Sequence, residues 1–226
     1  MLVSVDGKIS TGSNDTLDVD KDFSKIKGLK EGLQQYYDIE QTTDLYSLNS
    51  GKVQAKVGAN KPQKNIVKLP VSFLIIDNKP HLNTIGVDNF LQKSKKLYII
   101  TTNKNHPAFQ RRNADNLEII YYEKEIDFVD LFRKLKVDHG IKKMTIQTGG
   151  TLNAIFLRNK LIDKIAIVVA PTVIGGKETP SLIDGKSLSS VTELSLIKAL
   201  ELTKVKKLKN SYLYLQYNVI NDTKIK

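Results

Sequence analysis

Apolar positions along this chain follow two alternating periods. Short runs rich in β-branched residues, VSFLIID (71–77), KLYIITT (96–102), LEIIYY (117–122) and KIAIVVAP (164–171), predict buried strands. Between them, apolar residues recur three and four apart. Residues 87–93 predict a helix, 107–113 a shorter one, and 127–139 an amphipathic one with Phe128, Leu131, Phe132 and Leu135 inward. Nearer the start, Phe23, Ile26, Leu29 and Leu33 predict a helix over 20–37, which Gly28 and Gly32 weaken. LYSL (45–48) predicts a short strand, and NSGKVQAKVG (49–58) a turn leading into about two helical turns. The opening MLVSVDGKISTG reads as a strand through Leu2, Val3 and Val5 that stops at Asp6-Gly7. That start is abrupt, so either the first strand is very short or a few of its residues are missing. From 200 to 219 the helical period disappears, and ELTKVKKL and YLYLQYNVI alternate around Lys209-Asn210-Ser211 as an antiparallel hairpin.

Continuous apolar strands separated by amphipathic helices predict an α/β protein in three αβα layers. The central sheet is expected to be mostly parallel, with the C-terminal hairpin antiparallel. With 226 residues, 40% of them hydrophobic, and no linker, repeat or low-complexity stretch, residues 1–226 are expected to form one domain.

Composition narrows the chemistry. No run of about 18 apolar residues exists to cross a bilayer, and no basic segment precedes an apolar one at the N-terminus, so a cytoplasmic protein without membrane association is expected. Zero cysteines exclude disulfides, thiolate nucleophiles and cysteine-ligated zinc; His81, His106 and His139 are too scattered for a metal motif, so no metal is expected. A net charge of +11, with Lys198, Lys204, Lys206, Lys207 and Lys209 leading to Tyr212, Tyr214 and Tyr217, opens a nucleic-acid reading. Against it, only Arg111, Arg112, Arg133 and Arg158 supply the guanidinium groups that bidentate recognition favours, and lysine excess more often marks a solvated surface.

The segment 144–188 carries the most chemistry. Met144 and Ile146 alternate with Thr145 and Gln147, Gly149-Gly150 break the strand, and Leu152, Ile155, Phe156 and Asn159 follow at helical spacing. A strand opening through glycines into a helix offers unpaired N–H groups and a positive dipole end to an anion, such as a phosphate. Such a junction also serves merely to reverse the chain. It is neither G-x-G-x-x-G nor G-x-x-x-x-G-K-[ST], both of which are absent.

SVDGKIS at the start, IQTGGTLNAIFLRNKLIDKIAIVVAPTVIGG in the middle and the closing hairpin together resemble the bacterial riboflavin-biosynthesis reductase family, of the RibD C-terminal-domain type. The likeness covers nearly the whole chain. It implies a dihydrofolate-reductase-like fold, a homodimer, and an NADPH-dependent reductase acting on a small-molecule substrate. In biosynthetic members a ribosylamino-pyrimidine phosphate becomes its ribitylamino form. Gly149, Gly150, Thr151, Leu152, Asn153 and Ala154 match the family's cofactor loop and helix start. Asn78, Thr102 and Asn103 lie just past predicted strands, at the edge where open α/β sheets bind ligands, and are candidates for the adenosine and 2′-phosphate end. Ser4, Asp6 and Lys8 match the S-x-D-G-K motif that borders the substrate pocket; Asp6 and Lys8 are the candidate catalytic pair, Ser4 and Gln147 candidate substrate contacts. A strand-ending Asp-Gly turn with a solvated lysine is the plainer reading of that motif. Asp163 is better explained as a turn residue.

The departures bear on specificity. Gln147 stands where the biosynthetic enzymes carry glutamate, Thr148 replaces a small residue, and residues 50–60 lack the family's acidic and proline residues. No deaminase motif is present. The function expected is hydride transfer to a C=N or C=O carbon of a small heterocyclic or ribosylamino-pyrimidine-like substrate, as in a 5-amino-6-(5-phosphoribosylamino)uracil reductase. The rival is a non-catalytic nucleic-acid-binding or regulatory protein on the same fold.

Overall fold

The structure, a computed structural model, describes residues 1–223. Along the chain lie β1 (Leu2–Val3), α1 (Val19–Asp22), α2 (Lys30–Glu40), β2 (Tyr46–Ser50), α3 (Gly51–Lys56), β3 (Ser72–Ile76), α4 (Thr84–Lys93), β4 (Leu97–Thr101) and β5 (Leu117–Tyr121). Then follow α5 (Phe128–Val137), β6 (Thr145–Gln147), α6 (Gly150–Arg158), β7 (Lys164–Val169), β8 (Ala199–Lys207) and β9 (Leu213–Ile220). The chain forms two compact units, Thr43–Thr148 and the remainder, Met1–Thr42 with the chain from Gly149 onward.

The unit Thr43–Thr148 holds a five-stranded, all-parallel sheet in the order β5-β4-β3-β2-β6. Leu48, Leu74, Ile75, Leu97, Ile99 and Ile100 have no exposed surface, and burial of this kind along β3 and β4 is why those two strands read as apolar runs rather than alternating ones. Val87 and Phe90 of α4 pack with Ile75, Leu97 and Ile99. Asn83 caps α4 by accepting from the Gly86 N–H, and Asp127 caps α5 through the Asp130 N–H. Because all five strands run the same way, Gly51, Asp77, Thr102 and Thr148 follow strand ends on one carboxyl edge.

The other unit carries a four-stranded sheet, β1-β7-β9-β8, in which β1 pairs parallel to β7 while β7-β9 and β9-β8 are antiparallel. Its core gathers Leu2, Val168 and Ala170 with Phe23, Leu29, Leu33 and Tyr212, whose hydroxyl donates to the Leu29 carbonyl (2.8 Å). The fold class is thus α/β with mostly parallel pairing and a closing antiparallel hairpin, as the periodicity predicts.

Three local expectations change. The helix over 20–37 is broken: α1 passes into a 3-10 turn at Phe23–Lys25, and Gly28 adopts φ +90°, a conformation no helix can continue through, before α2 begins. Phe23, Leu29 and Leu33 still point inward, whereas Ile26 is exposed. Residues 107–113 shorten to a 3-10 turn at Pro107–Arg111. The first strand is only Leu2–Val3, and Val5 lies outside it, exposed.

Candidate active site

Beyond β1 the chain closes a tight loop. The Ser4 N–H donates to the Lys8 carbonyl (2.9 Å), the Lys8 N–H to Ser4 Oγ (2.8 Å), and the Gly7 N–H to the Ser4 carbonyl (3.0 Å). Gly7 has φ +77°, so glycine is required there. Asp6 accepts from Ser4 Oγ (2.6 Å) and from the N–H groups of Ile174 (3.1 Å) and Gly175 (2.6 Å). These donors, Ser4 foremost, hold its carboxyl down at about 2, so at neutral pH Asp6 is an anion and an acceptor, not an acid. Lys8 Nζ donates to the Thr179 carbonyl (2.9 Å) and to Ser181 Oγ (3.3 Å); an ammonium has a third N–H to offer.

Residues 179–184 join this loop to the glycine junction. Lys8 and Ser181 form an isolated antiparallel bridge, the Ile9 N–H donates to the Pro180 carbonyl (2.9 Å), and the Leu182 N–H to that of Gly7 (2.9 Å). The Ser181 N–H donates to the Asp184 carboxylate (3.1 Å), and the Asp184 N–H to the Gly150 carbonyl (3.1 Å). A Cβ on Gly150 would fall on the Ser181 carbonyl oxygen and lie 2.5 Å from Asp184 Oδ2. The bare Cα at 150 therefore admits the chain itself. At Gly149 a Cβ would meet nothing within 4 Å, so the open side of the junction is there.

Gly149 is the N-cap of α6 and supplies no side-chain cap, which leaves the first-turn N–H groups of Gly150, Thr151 and Leu152 without intrahelical acceptors. Thr151 is exposed and Leu152 half-buried. Asn153 is turned inward, with Nδ2 donating to the Leu182 carbonyl (2.9 Å), and Ala154 is buried beside Gly185. Thr179, Ser181 and Asp184 were not among the residues singled out by sequence; the local signal was the turn dipeptide Asp184-Gly185.

In the unit Thr43–Thr148, Gln147 belongs to a polar ladder that is buried at Ser47 and Asn49 and half-buried at its ends. Gln54 Nε2 donates to Asn49 Oδ1 (2.9 Å), Asn49 Nδ2 to Ser47 Oγ (2.9 Å), and Ser47 Oγ to Gln147 Oε1 (2.9 Å). Asn49 Nδ2 also donates to the Ser47 carbonyl (3.1 Å), which can only accept and so fixes the orientation of the Asn49 amide. Asn78 and Thr102 meet: the Thr102 N–H donates to Asn78 Oδ1 (3.0 Å). Asn103 donates through its N–H to Thr101 Oγ1 (3.1 Å) and accepts from the Asn105 N–H (2.8 Å). Among the described residues no group of three or more His, Cys, Asp or Glu is arranged to hold a metal ion.

The sequence model of the family described as the RibD C-terminal domain matches residues 1–214. The chain belongs to that family. Among curated proteins it resembles a 2,5-diamino-6-ribosylamino-4(3H)-pyrimidinone 5′-phosphate reductase of Aquifex aeolicus, 28% identical over 109 residues, which are 47% of this chain and 48% of that protein. It also resembles the riboflavin biosynthesis protein RibD of Actinobacillus pleuropneumoniae, 21% identical over 203 residues, 87% of this chain and 50% of the relative. The chain spans about half the length of the curated relatives it matches. Acinetobacter baumannii RibD superposes with a TM-score of 0.62 at 17% identity, over 97% of this chain and 56% of that one. A deaminase/reductase of Thermotoga maritima gives 0.63 at 13% identity, over 96% and 54%. These likenesses establish the RibD-type, dihydrofolate-reductase-like fold expected from the motifs.

Proposed function

We propose that this RibD-family chain is a reductase of riboflavin biosynthesis that uses NADPH to reduce a ribosylamino-pyrimidine phosphate to its ribitylamino form. The substrate is the diaminopyrimidinone that the Aquifex aeolicus relative is named for, or the corresponding aminouracil. The observation that carries the reading is the uncapped start of α6, open at Gly149 and tied through Ser181 to the Lys8 loop. An uncapped nine-residue helix with a glycine facing open space fits a dinucleotide's phosphates.

NADPH, when bound, supplies the hydride; the chain supplies placement and charge. The cofactor residues of this proposal are Gly149, the N–H groups of Gly150, Thr151 and Leu152, and the inward pair Asn153 and Ala154 that anchors the helix start. In the other unit they are Asn78, Thr102 and Asn103. Lys8, already oriented by two acceptors, directs its remaining N–H at the substrate, where it grips phosphate or balances charge on the group being reduced. Asp6, ionised and held by three donors, keeps Ser4 and the loop in place. Gln147 contacts the substrate with an amide whose oxygen is turned toward Ser47, a neutral group where the biosynthetic enzymes carry a carboxylate.

Residues 1–226 act as one reductase domain, in the cytoplasm, as a homodimer. Support for the dimer comes from β8, an edge strand exposed along its whole length, with Leu200, Leu202 and Val205 uncovered. No described helix is long and apolar enough to cross a membrane. The nucleic-acid alternative loses one of its stacking candidates, because the Tyr212 ring is fully buried. Titration with NADPH, followed by fluorescence and thermal unfolding, tests the proposal. Saturable stabilisation supports it; no response at about millimolar cofactor, a usual upper limit for such affinities, together with steeply salt-dependent binding of nucleic acid, would favour the alternative.

A further inference from the structure

We infer that Asp77, acting through His106, is a positioning pair that sets the loops at the carboxyl edge of the parallel sheet in the arrangement that receives the cofactor. The inference rests on the NADPH reading for what that edge binds. Neither side chain has exposed surface, so neither touches a ligand; they act through Asn78, Thr102 and Asn103.

Three strand ends are built around the Asp77 carboxylate. Its own loop turns back on it, with the N–H groups of His81 (3.0 Å) and Leu82 (3.0 Å) and His81 Nδ1 (3.0 Å) at its oxygens. From the loop after β4, His106 Nε2 reaches Oδ2 at 3.1 Å. The start of α3 is moulded on the same group: a Cβ on Gly51 would collide with the carboxyl carbon and lie 2.6 Å from Oδ2. The direction of the His106 bond is unambiguous. Its Nδ1 accepts from the Ala108 N–H (3.1 Å), so the proton sits on Nε2 and is donated to Asp77.

The loop over residues 102–106 is thereby fixed at both ends. At its start, Thr102 and Asn103 donate to Asn78 and Thr101, and Thr101 Oγ1 donates to the Asp77 carbonyl (2.9 Å). At its end stands His106. A buried charge is expensive to desolvate and an apolar residue would serve packing as well, so a fully satisfied network here specifies one loop arrangement.

His106→Phe keeps an aromatic ring, larger than imidazole, and removes the donor; Asp77→Asn keeps the volume and, whichever way its amide faces, sets its NH2 against N–H groups that now donate to the carboxylate; His106→Gln returns an N–H. Two readouts are needed: NADPH affinity with kcat at saturating cofactor, and amide hydrogen exchange at 102, 103 and 105 without ligand. For His106→Phe we expect Kd to rise about tenfold with kcat within about twofold, and His106→Gln to return Kd to within about threefold of wild type. Exchange at those amides should quicken about tenfold while Ile75 and Ile99 stay protected. If His106→Phe does not fold, Asp77→Asn carries the comparison. Wild-type affinity and exchange in the folded variant would overturn the inference, as would an affinity loss that glutamine does not rescue. If the wild type itself ignores NADPH, the cofactor reading fails, and the ligand-free exchange still decides whether the pair sets the loop.

Discussion

Replacing Gly150 by alanine tests how the glycine junction is built. The new Cβ would lie 2.5 Å from Asp184 Oδ2, 2.8 Å from Asp184 Cγ and against the Ser181 carbonyl oxygen, inside the 3.0 Å that real Cβ atoms essentially never breach. A side chain could swing away, but the carbonyl is backbone, in a segment tied to Gly7 by the Leu182 N–H and to Gly150 by the Asp184 N–H. Overpacking of this kind costs about 1–3 kcal/mol and a strained hydrogen bond about 1 more, offset by up to about 1 kcal/mol from alanine's better helix propensity. The net is about 2 kcal/mol, or roughly 4–8 °C in Tm for a chain of this size. Gly149→Ala is the control. With φ −80° and open space around its Cβ, it should lose a few tenths of a kcal/mol as a poorer cap and regain about as much from the stiffer unfolded chain. Its methyl would instead stand where the cofactor phosphates are proposed, so NADPH should stabilise it less than wild type. Circular dichroism melts with and without NADPH measure both. A Gly150→Ala protein melting within about 1 °C of wild type would refute the packing, since even a single kcal/mol should shift it further.

Two further outcomes follow from the same geometry. Asp6 has a folded carboxyl at about 2, below its unfolded value of about 3.9, so its contribution is full above that value and vanishes as pH falls through the folded one. The stability gap between wild type and Asp6→Asn should be level from about pH 5 to 8 and close between about pH 4 and 2; a gap that widened on acidification would contradict the hydrogen bonds assigned to Asp6. Leu202→Asp with Val205→Asp places two charges on the exposed β8 edge, and in sedimentation velocity should weaken a dimer by more than about tenfold; an unchanged dimer would remove β8 from the interface.

How far the chain could be read from its sequence depended on how local each signal was. β3 and β4, at the middle of the parallel sheet, are buried almost throughout, so their apolar runs announced them, and the Lys209-Asn210-Ser211 turn announced the hairpin through Asn210 at φ +54°. Gly28 was visible as a weakness but not as a break, because the break is made by backbone angles, extended at Ile26 and positive φ at Gly28, that the apolar spacing does not report. At the candidate site, both glycines of the junction looked alike. Their difference comes from residues 181–184, which return to Gly150 from elsewhere in the chain and carry no periodic signal. His81 and His106 are scattered in sequence; folding brings both to Asp77, a charged residue that the sequence presents merely as the polar end of VSFLIID.

The most direct measurement is isotope transfer. NADPH deuterated at the transferable position of the nicotinamide would be incubated with the protein and each phosphorylated ribosylamino-pyrimidine, and the product analysed by mass spectrometry. We expect a ribitylamino product carrying one deuterium in its sugar chain, formed by wild type and lost with Lys8→Ala. Product without deuterium, or no product from either pyrimidine while NADPH is bound, would contradict hydride transfer as the work of this chain.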